Sequence, residues 1–156
     1  MHPPSVQRVL DAAAAHGLEI EVRESPAGTR TAQEAAAAVG CVVDQIVKSM
    51  IFDTGAELVL ALTSGTHRVD GARLALALGV EKCGRADVDA VRATTGYAIG
   101  GVPPIGHATP LRSVLDPHLL NFPEVWAAAG TPRHVFGIEP STLRRIAGAT
   151  EADCFH

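Results

Sequence analysis

Apolar and polar positions alternate with clear periods along most of this chain. Val6, Leu10 and Ala13 recur at helical spacing after Ser5, a capping residue type, and the run ends at Gly17; a first helix is predicted there. "LEIEVRE" then sets Leu18, Ile20 and Val22 against Glu19, Glu21 and Arg23, the pattern of a half-buried strand. "ESPAGTR" reads as a turn-rich loop. Thr31 and Glu34 stand in capping-box spacing and Gly40 closes the segment, which predicts a short second helix. Residues 44–53 and "LVLALTS" are β-prone runs separated by "TGAE", so they pair as an antiparallel hairpin. Beyond them come a helix capped by Asp70 and stopped at Gly79, a short edge segment, and a second short helix over "ADVDAVRATTG" ending near Gly96. Short strands are expected near "LRSVLD", "EVWAAAG" and "HVFGIE", with a last helix through "PSTLRRIAG" and a frayed tail over 149–156.

Strands and short helices are intermixed, without repeats, linkers or a regular βαβ series. The fold class is therefore α/β of the α+β type, one domain over residues 1–156 on a mixed, curved sheet. No G-x-G-x-x-G leads from a strand into a helix, which argues against a doubly wound nucleotide fold. The chain of 156 residues is 47% hydrophobic and only 4% aromatic, so Ala, Val, Leu and Ile must fill the core. A formal charge of -4 argues against gripping long nucleic acid, DNA included, but leaves room for a pocket that takes only a nucleic-acid end. The N-terminus carries charges and lacks a signal-peptide core, and no apolar run reaches the ~18 residues of a membrane span. A soluble cytoplasmic protein with no membrane contact is expected, its three scattered cysteines reduced.

One residue breaks the pattern. "QIVKSMIF" places Lys48, one of only two lysines, within an apolar run. On a strand it shares a face with Ile46, Met50 and Phe52, where an ammonium group must snorkel, pair with a carboxylate, or line a pocket. A second segment, "GYAIGGVPPIGH", carries glycines at 96, 100, 101 and 106 around Pro103 and Pro104. A stiff loop of that kind is either a rigid surface turn or a cradle of bare amides for a carbonyl or phosphate oxygen.

Together with "LALTSGTHRVDGARLALALG", "ADVDAVRATTGYAIGGVPPIG" and "EVWAAAGTPRHVFGIEPSTLRRI", these pieces resemble the YbaK/prolyl-tRNA editing-domain family over about residues 5–148. By position Lys48 matches the family's strand lysine, Gly100 and Pro104 the ends of its G-x-x-x-P loop, and Gly130 the glycine of a late hairpin. Thr95, Gly96 and Tyr97 match the segment entering the loop. The resemblance implies a partly barrel-like sheet ringed by helices and a trans-acting aminoacyl-tRNA deacylase that needs no metal or cofactor and leans on the substrate's ribose hydroxyl. Its expected substrate is the 3′ end of a proline tRNA carrying Ala, Cys or Ser, which it would reach either docked on prolyl-tRNA synthetase or alone.

That chemistry assigns catalytic roles to Lys48, Gly100, Gly101 and Pro104, with amides from Gly100 to Ile105 holding a developing oxyanion. Substrate contacts are expected from Ile46 and Met50, which would act as an aliphatic sieve, and from Ser64, His67, Tyr97, Val102, Pro103, Ile105, His107 and Gly130. Asp70 reads as a helix cap. Ser49 points away from Lys48, against a Ser-Lys dyad, and His118 and His134 show no metal spacing. A non-catalytic module binding a tRNA end, nucleotide or amino acid is the rival reading.

Overall fold

The computed structural model describes residues 2–25 and 31–156. Of the loop expected across 24–30, residues 26–30 lie outside the described residues. Helix α1 (Pro4–Ala15) buries Val6, Val9 and Ala13 on one stripe. Strand β1 (Val22–Glu24) follows, and α2 (Ala32–Val39) opens with the Thr31 hydroxyl accepting the Glu34 N–H and closes at Gly40 in the left-handed region. Strands β2 (Ile46–Asp53) and β3 (Leu58–Ser64) form the expected hairpin, with Lys48 opposite Thr63.

Helix α3 (Gly71–Leu78) is capped by Asp70, which accepts from the Ala72 and Arg73 N–H groups. Then come β4 (Gly84–Arg85), α4 (Val88–Thr95), β5 (Arg112–Leu115), β6 (Val125–Ala128), β7 (His134–Ile138), α5 (Pro140–Ala147) and β8 (Thr150–Glu151). All eight strands share one mixed, open sheet in the order β1-β7-β6-β2-β3-β5-β8, with β4 pairing to β2 off that path. Among the described residues no helix is long and apolar enough to cross a membrane.

The strand alternation of β2 divides the core. Val47 and Ile51 join the large cluster with Leu60, Leu62, Val91 and Val102. Phe52 faces Val59, Leu74 and Leu78 on the side of α3, while Ile46 packs with Ala35, Ala36, Trp126 and Val135 beneath α2.

Three expectations are corrected. Ser5 is not the cap of α1: Pro3 holds that position and Pro4, whose missing N–H costs nothing in a first turn, begins the helix. The first strand starts at Val22, not Leu18, because the Leu18 N–H is committed to closing α1 on the Ala13 carbonyl at 3.0 Å. Most consequentially, the tail is docked. Thr150 and Glu151 pair with β5, and Ala152 and Cys154 are buried. Arg68 and His156 exchange main-chain hydrogen bonds at 2.7 and 3.0 Å. Burial of small apolar groups, invisible in so short and polar a segment, holds it.

Candidate functional site

The sheet is interrupted beside β2. One edge pairs with β3 throughout, but on the other β6 covers only Ile46–Val47 and β4 only Phe52–Asp53. The Ala86 N–H reaches the Ile51 carbonyl at 3.1 Å. Residues 48–50 thus present a strand edge with no strand partner among the described residues, the situation in which main-chain N–H and C=O groups stand open. A cavity of about 260 Å³ occupies the gap. Because it sits at an edge, it takes residues from both faces of β2: Ile46, Lys48 and Met50 from one, Ser49 and Ile51 from the other.

Lys48 extends its ammonium to the main-chain carbonyl of His67, Nζ donating at 2.6 Å. Burial pushes its pKa below the ordinary lysine value, and the neighbouring cations Arg68 and Arg85 push it the same way, against the pull of Asp116. Arg85 also lines the cavity, so two cationic residues belong to its lining. Ser49 Oγ is buried and has no hydrogen-bond partner among the described residues. Among the residues lining the cavity there is no carboxylate, imidazole or thiol.

The Gly/Pro loop brings Gly100 and Val102 to the same cavity. Its entry is set by Gly96, left-handed at φ 83° at the end of α4, and by buried Tyr97, whose hydroxyl donates to the Gly106 carbonyl at 2.8 Å. Gly100 has φ 92°, a conformation that glycine adopts without strain. Its N–H and that of Val102 have no main-chain acceptor among the described residues. His107 fastens the far side of the loop, Nε2 lying 2.6 Å from the Pro103 carbonyl, and burial pushes its pKa down.

Of the expected site residues, the fold gathers Ile46, Lys48, Met50, Gly100 and Val102 around one opening. Others stand apart from its wall. The Gly101 N–H donates to the Ala98 carbonyl at 3.0 Å and is not bare. A Cβ at Gly101 would come within 2.7 Å of the Thr131 backbone, so this glycine lets the loop press on the β6–β7 hairpin. Pro103 and Pro104 have no N–H to offer. The continuous row of amides expected from Gly100 to Ile105 thus reduces, at the cavity wall, to Gly100 and Val102. Tyr97, Pro103, Pro104 and Ile105 are buried in the base of the loop. At Gly130 a Cβ would meet the Ser5 carbonyl at 2.6 Å; this glycine packs the hairpin on α1.

Ser64 and His67 belong to a polar cluster next to Lys48. Ser64 Oγ donates to the Asp44 carbonyl at 2.7 Å, and its N–H reaches Asp116 Oδ2. His67 Nδ1 lies 2.7 Å from that same oxygen. Asp116, Arg85 and Trp126 escaped the sequence reading, and His118 was weighed there only as a metal ligand. Asp116 closes the strand expected near "LRSVLD", and nothing there tied residue 116 to residue 67. The thiols are not poised as nucleophiles: burial raises the pKa of Cys41 and Cys83 and pushes Cys154 up to about 11.

A family model described as an aminoacyl-tRNA editing domain matches residues 26–146. The uncharacterized protein YwhH of Bacillus subtilis is 29% identical over 126 residues, 80% of each chain. The proline–tRNA ligase of Desulforamulus reducens is 35% identical over 89 residues, which is 57% of this chain but only 16% of the ligase. Among solved structures, a candidate trans-editing enzyme for prolyl tRNA synthetase superposes with a TM-score of 0.94 at 46% identity, covering 100% of this chain and 99% of that one. The hypothetical protein APE2540 superposes at 0.88 with 28% identity, covering 96% of this chain and 99% of that one.

Proposed function

This chain belongs to the aminoacyl-tRNA editing domain family, and from that premise we propose that it is a deacylase acting in trans on misacylated tRNA, in the context of prolyl-tRNA synthesis. The observation that carries the reading is the meeting of Lys48 with Gly100 and Val102 of the loop on the lining of one cavity at the broken edge of β2.

An aminoacyl ester is already activated, so the protein's task is to hold it, admit one water and steady the developing oxyanion. The Gly100 and Val102 amides serve as oxyanion donors. Lys48, with Arg85 beside it, meets the phosphate or ribose end of the substrate. Ser49 Oγ, without a hydrogen-bond partner among the described residues, finds one in the substrate. Water adds to the ester carbonyl, the bond to the ribose oxygen breaks, and the amino acid and tRNA leave. With no carboxylate, imidazole or thiol among the described residues of the wall, a ribose hydroxyl of the substrate positions the water. At about 260 Å³ the cavity falls below the usual range for drug-sized ligands, so it suits a small side chain such as Ala, Cys or Ser. Editing of this kind removes amino acids that a synthetase pocket cannot reject by fit alone.

The test is release of labelled amino acid from a panel of tRNAs charged with Ala, Ser, Cys or Pro. Turnover of a mischarged proline tRNA, with correctly charged Pro-tRNA spared, is the expected result. Saturable binding without release from any member would establish the non-catalytic module instead.

A further inference from the structure

The polar cluster behind Lys48 has a directed order. Asp116, at the end of β5, is only 1% exposed. Its Oδ2 accepts the Ser64 N–H at 3.1 Å and its Oδ1 the His118 N–H at 3.0 Å, so both oxygens are engaged by main chain. The remaining contact is His67 Nδ1 at 2.7 Å, an ion pair when the ring is protonated. An ionised carboxylate only accepts, so Nδ1 carries a proton and the imidazole is held in one tautomer and one orientation. The carbonyl of this same residue, His67, receives the Lys48 ammonium at 2.6 Å. A second pair backs the first: His118 Nε2 lies 2.7 Å from Asp44 Oδ2, and the two imidazoles stack with centroids 4.7 Å apart. Thr66 Oγ1 also donates to Asp44, fixing the turn from its other side.

We propose that Asp116 and His67 are positioning residues for Lys48: the buried carboxylate clamps the imidazole, and the clamped residue presents the carbonyl that holds the ammonium of this cavity-lining residue in one place. A flexible four-carbon side chain has many rotamers, and an interaction with the reacting ester needs one of them. The charges around the ammonium are Arg68 and Arg85, which oppose its protonation, and Asp116, which favours it. Asp116 therefore does two things for Lys48, fixing its acceptor and opposing the downward push on its pKa. The catalytic consequence rests on the deacylase reading; the effect on the ammonium itself does not.

Two experiments separate them. With only Lys48 and Lys82 in the chain, protein labelled at lysine Cε gives two NMR signals, assigned with Lys82→Arg. In Asp116→Asn the Lys48 titration moves to lower pH than in the parent; an unmoved Lys48 titration in folded Asp116→Asn overturns the proposal. Should that variant not fold, His67 decides. His67→Ala keeps the carbonyl but frees its residue, and His67→Asn returns an N–H donor near the place of Nδ1. The expected result is a kcat for deacylation lowered on the order of tenfold in His67→Ala with KM little changed, and largely restored in His67→Asn. Equal rates in the Ala and Asn variants, or a loss that tracks melting temperature alone, contradict the positioning role. If no tRNA is deacylated by the parent protein, the deacylase reading fails, while the lysine titration still tests the coupling of Asp116 to Lys48.

Discussion

Lys48 on a central strand and Gly100 on a distant Gly/Pro loop line the same cavity. Neither segment needs the other to fold locally. What joins them is the early end of β6 and the late arrival of β4 beside β2, which leaves three residues of strand edge uncovered.

The two neighbouring glycines of the loop have separable roles. A Cβ at Gly100 would meet nothing closer than Pro132 Cγ at 3.5 Å, but its φ of 92° strains any other residue by about 1–2 kcal/mol. At Gly101 a Cβ would overlap the Thr131 backbone. Gly100→Ala is expected to slow deacylation at least tenfold with a small fall in melting temperature. Gly101→Ala should lower both, with about 1–3 kcal/mol lost from stability. Parallel melting and single-turnover measurements distinguish these outcomes.

Ser49 makes the opposite prediction. Its buried hydroxyl has no hydrogen-bond partner among the described residues, and removing an unsatisfied polar group relieves a penalty of about 1–3 kcal/mol, part of which is lost to poorer packing. Ser49→Ala should leave stability unchanged or raise it while slowing amino-acid release. A destabilised but fully active variant would show that the hydroxyl serves the fold.

Much of this was legible beforehand. Thr31, Asp70 and the glycines at 40, 79 and 96 mark their helix ends by local chemistry, and the β2–β3 hairpin follows from two apolar runs at hairpin spacing. Lys48 drew notice because a charge in an apolar run is costly unless used. The open edge of β2 was not legible, since it depends on where two strands distant in sequence begin and stop. The same holds for the clamp of His67 by Asp116. The loop amides were overcounted because a local turn, Gly101 to Ala98, uses one of them. The docked tail depends on main-chain pairing with residues 68–70 and 114–115, which no local pattern announces.

His107 gives the fold a pH dependence of defined sign. Burial holds its pKa below the ordinary 6.5, so the unfolded chain binds a proton that the folded chain refuses. Stability from this residue is complete above about pH 6.5 and is lost as pH falls below it. Denaturation curves of the parent and of His107→Gln should diverge on the acid side of that value, the parent showing the steeper loss. Parallel curves would mean that the ring is protonated without penalty in the folded state.

The tail is structural. Deleting residues 152–156 uncovers the surface on which Ala152 and Cys154 are buried and removes the pairing of Arg68 with His156. A loss of about 2–4 kcal/mol is expected in urea denaturation. A truncated protein of undiminished stability would mean that the segment adds nothing to the fold.

The account stands or falls on Lys48. The most direct measurement is the single-turnover rate of amino-acid release from mischarged proline tRNA by the parent protein and by Lys48→Ala, with tRNA binding and melting temperature followed in the same samples. A rate reduced on the order of a hundredfold or more in a variant that remains folded is the predicted result. An undiminished rate in folded Lys48→Ala would contradict it.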